Sequence, residues 1–243
     1  MRIGILANSL PAALKIYDEA QAVPGVEVFV LLAPLATDGG LSEHVARFVA
    51  KSGRGKSLKL IGKRAVVRFR KPLQDLDTIS RLQELKLDVG LHKSGSIYSS
   101  DTIECFRLGI LNAHIGLLPK YRGRSVMEWS LVQGDPAGIS VFFVDAGIDT
   151  GERIVLSETV DVSHCQTIAE AKQYLFDCDA RVYRRAIEKL QQDEKSFQRN
   201  DGSGSRYYVM SKLFQDVAQQ RLSKSGSSSE RVAQTSVCDS NLK

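Results

Sequence analysis

Asn112 and His114 stand two residues apart in Leu111-Asn112-Ala113-His114. On an extended backbone residues at that spacing point the same way, so an amide and an imidazole can serve one reacting group. Asn112 can donate an N–H to an oxygen that is gaining negative charge, and such a donor is typically worth about 10²–10³ in rate. His114 can be cationic near neutral pH and donate to the same oxygen, or move a proton to a leaving nitrogen. A second segment, Val144-Asp145-Ala146-Gly147-Ile148-Asp149-Thr150-Gly151, sets Asp149 in a loop between two glycines. Asp149 can there stabilise a cationic His114, or handle an amine proton through water. Each residue alone also has a plainer use: Asn112 or His114 as a structural hydrogen-bonding group, Asp149-Thr150-Gly151 as a turn.

Both segments need strands to carry them. Apolar runs at Arg2–Ala7, Val26–Leu32, Ala65–Phe69, Leu87–Leu91, Gly109–Ala113, Gly138–Val144 and Ile154–Val160 read as strands. Between them, Pro11–Ala22, Leu41–Ala50, Asp75–Leu85, Ser100–Phe106 and Arg124–Val132 read as helices, and Thr167–Leu190 as one long helix. This alternation predicts an α/β fold: an open, mostly parallel twisted sheet with helices on both faces. Ligands of such sheets sit at the carboxyl ends of strands, which points to the residues after Ala7, Leu91, Ala113 and Val144. We expect residues 1–190 to form the main domain and 191–222 an appendage. Residues 223–243, with seven serines, are expected to be a disordered tail.

Hydrophobic residues make up 43% of the 243-residue chain and charged residues 25%, an ordinary globular balance. The longest near-continuous apolar run, Val28–Ala36, is far short of the roughly 18–20 residues that span a bilayer. The N-terminal apolar run is too short for a signal peptide, and Cys105, Cys165, Cys178 and Cys238 form no CxxC pair. A cytoplasmic protein with reduced thiols and no metal is expected. The net charge of +5 is local: Arg47, Lys51, Arg54, Lys56, Lys59, Lys63, Arg64, Arg68, Arg70 and Lys71 fall in one stretch without an acid. Such a stretch either meets a phosphate-bearing partner or is a solvated loop.

The segments Asn112-Ala113-His114-Ile115-Gly116-Leu117-Leu118-Pro119, Tyr121-Arg122-Gly123 and Asp149-Thr150-Gly151, with Trp129–Asp135, resemble the folate-dependent formyltransferase family. Its relatives act on methionyl-tRNA, glycinamide ribonucleotide or sugar nucleotides. The resemblance is strong over about 87–160 and weaker before it. It implies Asn112, His114 and Asp149 as catalytic residues and 10-formyltetrahydrofolate as formyl donor. It places the folate against Leu91, His92, Lys93, Ile97, Val144, Asp145 and Gly147, although His92 and Lys93 are unusually polar for that stretch and Lys93 can equally be solvated. Asn8 and Ser9, after the first strand, are candidates for the acceptor, as are Tyr121 and Arg122, with Tyr121 equally able to pack under its loop. The family usually has Ser where this chain has Gly116. About 50 residues follow Leu190, fewer than a typical barrel domain of the tRNA-directed relatives needs. The expected acceptor is therefore an amino-sugar nucleotide or a similar small phosphate-bearing amine. A methionyl-tRNA formyltransferase-like enzyme, or a non-catalytic folate- or nucleic-acid-binding relative, is the alternative.

Overall fold

The computed structural model describes residues 1–34, 65–145, 149–195 and 197–224. Among the described residues the larger sheet has eight strands, in the order β3-β2-β1-β4-β5-β7-β8-β9. These are β1 (Arg2–Ala7), β2 (Glu27–Leu32), β3 (Val66–Arg68), β4 (Leu87–Lys93), β5 (Phe106–His114), β7 (Gly138–Phe143), β8 (Arg153–Thr159) and β9 (Gln198–Arg199). β2, β1, β4 and β5 pair in parallel, as do β2 and β3, while β9 joins β8 antiparallel. The expected α/β class, a mostly parallel sheet with helices, is thus the observed one.

The helices are α1 (Leu10–Gln21), α2 (Leu76–Glu84), α3 (Ser100–Glu104), α4 (Val126–Gln133), α5 (Ile168–Asp177), α6 (Asp179–Gln192) and α7 (212–224). Two compact units form. The first comprises Met1–Ala113, Val141–Leu156 and Asp179–Arg199, and the second His114–Ser140, Ser157–Cys178 and Asn200–Lys243. Among the described residues no helix is long and apolar enough to cross a membrane.

In the first unit the period-two alternation of the strands sorts the core. Gly4 pairs with Phe29 and Leu6 with Leu31. Leu6, Phe29 and Leu31 join Phe106 and Ile110 in one buried cluster, together with Ile79 and Leu82 of α2. Asp75 caps α2 by accepting from the Asp77 N–H at 3.0 Å. Helices α1 and α6 lie together, tied by Arg184 to Glu19 at 3.2 Å and by Gln191 to the Pro24 carbonyl at 2.9 Å.

Three elements differ from the sequence reading. Thr167–Leu190 is not one helix but two, α5 and α6, parted at Cys178. The buried positions Ala171, Leu175, Asp179, Val182 and Ala186 keep a three- and four-residue spacing across the break, so the stripe reads as continuous. β5 begins at Phe106, where a helix was expected to end, because Phe106 pairs with Leu87 and belongs to the buried cluster. β6 (Tyr121–Gly123) is a strand that the sequence did not announce. It pairs in parallel with β10 (Ser205–Tyr207) in a separate two-stranded sheet within the second unit. The expected helix Leu41–Ala50 and the basic residues from Arg47 to Arg64 lie outside the described residues. Of the basic residues that are described, Lys71 is held by Asp77 at 2.6 Å and Asp75 at 3.3 Å, so it is not a free cation.

Candidate active site

Asn112 lies near the carboxyl end of β5. In the first unit β4 and β7 flank β5, and the Val144 N–H donates to the Ile110 carbonyl at 2.8 Å. The chain therefore leaves β4 after Lys93 and β7 after Phe143 on either side of Asn112. The strand ends are pinned from α6. The Tyr183 hydroxyl accepts from the Ala113 N–H at 2.9 Å and donates to the His92 carbonyl at 2.8 Å, with the Leu111 carbonyl 3.3 Å away. Tyr183 is buried, and burial pushes its phenol well above the ordinary range. Removing the hydroxyl leaves the Ala113 N–H and the His92 carbonyl without this buried partner. We expect Tyr183→Phe to lose about 1–3 kcal/mol of stability, read from urea denaturation, with kcat reduced as the strand ends loosen.

On the β4 side, His92 Nδ1 is 2.7 Å from the Tyr98 hydroxyl, which is also 3.1 Å from Ser94 Oγ. Burial and the neighbouring Lys93 charge push the His92 imidazole down to about 4, and Asp149 opposes the shift. Asp149 and His92 are thus brought within electrostatic reach of each other. The ordinary value of 6.5 lies above the folded one, so between pH 6.5 and about 4 the unfolded chain takes up a proton that the folded chain does not. Stability should fall with pH across that window, by about 2–3 kcal/mol at its lower end, and be insensitive to this group above pH 6.5. Urea denaturation of the wild type and of His92→Gln from pH 7 to 4.5 checks it: the variant should lack this part of the slope. Lys93 is half-buried and forms an ion pair with Asp179, a buried acid at the start of α6. Leu91 is fully buried and Ile97 is 74% exposed.

On the β7 side, Thr150 donates to Asp145 Oδ1 at 2.8 Å. Asp149 has a left-handed backbone, φ 53°, a conformation that non-glycine residues adopt at a cost. A Cβ on Gly151 would sit 1.7 Å from the Phe143 carbonyl oxygen, so no side chain fits there. Thr150 and Gly151, which follow Asp149, are thus held close to Asp145 and Phe143. Gly147 lies outside the described residues. Asn8 and Ser9 lead into α1, where Ser9 is the N-cap residue without a side-chain capping bond.

His114 belongs to the second unit and is 7% exposed. Its Nε2 is 2.9 Å from the Tyr121 carbonyl oxygen. A carbonyl can only accept, so Nε2 is the donor in this contact. Tyr121 is 1% exposed and its hydroxyl donates to Asp135, with Gln133 Oε1 2.9 Å away. It packs under the loop, the second of the two uses read from the sequence. Arg122 donates to the Gly204 carbonyl at 2.6 Å, steadying β6 against the segment that leads to β10. Sequence reasoning missed Tyr183, Tyr98 and Asp179, which read as core and helix-surface residues.

Comparison with known proteins places these segments in context. The formyl transferase family model matches residues 48–187, which include Asn112, His114 and Asp149. A methionyl-tRNA formyltransferase of Alkaliphilus oremlandii is 30% identical over 124 residues, covering 50% of this chain and 40% of that protein. The chain spans less than half the length of the curated relatives it matches, with 37–48% covered in the first three. Among solved structures, a sugar N-formyltransferase from a Shewanella species superposes with a TM-score of 0.56 at 13% identity, over 91% of this chain and 87% of that one. A formyltransferase from Anoxybacillus kamchatkensis, solved with UDP-4,6-dideoxy-4-formamido-L-AltNAc and tetrahydrofolate, gives 0.55 at 15% identity, over 93% and 100%. At these identities the structural likeness concerns the fold.

Proposed function

The chain belongs to the formyl transferase family, and from that premise we propose that it transfers a formyl group from 10-formyltetrahydrofolate to a primary amine. The observation that carries the reading is the placement of Asn112 at the end of β5 between the loops that follow β4 and β7. An open parallel sheet offers a ligand its cleft at such strand ends.

Residues 91–97 and 144–149 are the segments that would hold the folate. Half-buried Val144 supplies apolar wall, fully buried Leu91 can meet a ligand only through its backbone, and the backbone beyond each strand supplies donors and acceptors for a flat heterocycle. His92, neutral over the physiological range, adds no charge there. When bound, the folate supplies the formyl carbon and the leaving nitrogen. Asn112 donates its side-chain amide to the formyl oxygen as that oxygen becomes anionic. His114 donates to the same oxygen or passes a proton to the leaving nitrogen. Asp149 stabilises the imidazolium or accepts the amine proton through water.

The proposed acceptor is an amino-sugar nucleotide or similar small phosphate-bearing amine, and the nine cations from Arg47 to Arg70 support it, Lys71 being paired with Asp75 and Asp77. Purified protein is incubated with 10-formyltetrahydrofolate and a panel of amino-sugar nucleotides, glycinamide ribonucleotide and methionyl-tRNA. Turnover with a sugar nucleotide supports the reading. Turnover with methionyl-tRNA alone reassigns the acceptor, and folate binding without turnover on any amine removes the enzymatic reading. Neutralising Arg54, Lys56 and Lys59 together should raise acceptor KM and flatten its salt dependence, with folate affinity unchanged.

A further inference from the structure

We propose that Arg122 and Arg206 form a phosphate clamp on the two-stranded sheet of the second unit, suited to the diphosphate of a nucleotide-linked acceptor. The acceptor's identity rests on the formyl-transfer reading, whereas the anion site itself does not.

Register brings the two arginines together. In the parallel pairing of β6 with β10, Arg122 stands beside Arg206. Paired residues of neighbouring strands lie about 4.8 Å apart and project from the same face. Two guanidinium groups, charged at any physiological pH, thus start from adjacent points. A third cation, exposed Arg124, directly follows β6, where its N–H donates to the Tyr207 carbonyl at 3.1 Å.

Elsewhere the chain pairs surface arginines with acids: Arg107 with Asp88 and Glu194, Arg184 with Glu19 and Glu188. Among the described residues Arg122, Arg124 and Arg206 have no carboxylate partner. Arg206 has the Tyr208 ring, 5.5 Å from its Cζ, and Arg122 has the Gly204 carbonyl at 2.6 Å. Arg122 Nε is buried without a hydrogen-bond partner. Like charges side by side on a sheet repel. A phosphate against both turns that repulsion into two charge-assisted contacts and offsets the burial of Nε.

The first arginine is also pre-set. A Cβ on Gly204 would lie 1.6 Å from the Pro119 carbonyl oxygen, so the segment that holds the Arg122 guanidinium is itself pressed against its neighbour. A planar fork oriented before the ligand arrives loses little freedom on binding and meets two phosphate oxygens at once. Arg206, exposed on the adjoining strand, supplies the second set of donors. A diphosphate has oxygens enough for both. The residue before Arg122 is Tyr121, whose carbonyl lies 2.9 Å from His114 Nε2. A phosphate on the clamp therefore tethers its acceptor one residue from the group that holds the imidazole.

The test titrates the full chain with pyrophosphate, UDP and 5-formyltetrahydrofolate by calorimetry. Arg206→Gln removes one exposed charge, and Arg122→Lys keeps the charge but loses the fork. Lys212→Gln, at an exposed lysine of α7 paired with Asp216, controls for net charge. The wild type should bind pyrophosphate and UDP at a single saturable site. Arg206→Gln and Arg122→Lys should each weaken both by about tenfold or more, with 5-formyltetrahydrofolate affinity unchanged. Lys212→Gln should leave all three within about twofold of wild type. In turnover, acceptor KM should rise with the loss of anion affinity while kcat stays within about twofold. Circular dichroism checks the fold of Arg122→Lys, and Arg206→Gln carries the test if that variant misfolds. Absence of saturable pyrophosphate and UDP binding overturns the proposal, as does wild-type affinity in Arg206→Gln. A loss matched by Lys212→Gln, or one confined to the folate and its glutamate carboxylates, overturns it too. If the wild type transfers no formyl group but its anion affinity depends on Arg122 and Arg206 as described, the clamp stands and the functional reading fails.

Discussion

Replacing Asn112 by Ala should lower kcat for formyl transfer by about 10²–10³ while substrate KM values change little. The amide acts where charge develops, on an oxygen that is nearly neutral before attack and anionic after it, so its contribution appears chiefly in the transition state. Asn112 follows buried Leu111 and precedes Ala113, whose N–H is held by Tyr183, so truncation removes a side chain without disturbing the strand. Asn112→Asp serves as the isosteric control. It keeps shape and places negative charge against the developing oxyanion, and it should be at least as impaired as the alanine variant. Steady-state kinetics with both substrates, together with circular dichroism, decide it. An alanine variant with wild-type kcat would remove Asn112 from the chemistry.

Gly151→Ala should damage the protein through geometry rather than through loss of a reactive group. The added Cβ would stand 1.7 Å from the Phe143 oxygen, 2.9 Å from its carbon and 3.0 Å from the Phe142 ring. Backbone must move by more than an ångström to relieve such contacts, and overpacking of this sort costs about 1–3 kcal/mol. The displacement falls two residues from Asp149, whose backbone is left-handed. A misplacement of that size also costs about 10²-fold in turnover. Thermal melts and kinetics should show both losses in Gly151→Ala. Thr150→Val, which removes the hydrogen bond to Asp145 and keeps the bulk, should show a smaller loss of each. Wild-type turnover in Gly151→Ala would mean that the loop does not hold Asp149 for catalysis.

The strands were legible in the sequence because their signals are local, and the roles read for Asn112, His114 and Asp149 rest on equally local patterns. Period-two alternation marks a strand, a spacing of two marks a shared face, and paired glycines mark a loop. What supports those residues was not legible, because the supporting bonds join distant parts of the chain, often through backbone atoms. Tyr183 looks like one more apolar position on a helical stripe, yet its partners are main-chain groups of His92 and Ala113, whose identity no side chain advertises. Lys93 and Asp179 are 86 residues apart, so their part-buried ion pair was not visible beside the folate-lining and solvated uses read for Lys93. The break at Cys178 was hidden because the buried stripe runs through it without losing step.

The pairing of Tyr121–Gly123 with Ser205–Tyr207 bears on how the protein can be cut down. Gly123 has φ 100°, and a Cβ there would lie 2.2 Å from the Tyr207 oxygen, so this strand is shaped to accept a neighbour at close range. Tyr207 stacks on Tyr121 and packs against Trp129, which also donates to the Tyr208 carbonyl at 3.2 Å. A chain ended at residue 190 would keep the residues proposed for chemistry, yet it would bare a strand's unpaired amides and carbonyls beside two uncovered aromatic rings. Bare edges of that kind recruit other chains. The shortened form should therefore emerge as aggregate, because the segment Ser205–Tyr207 that covers this edge would be gone.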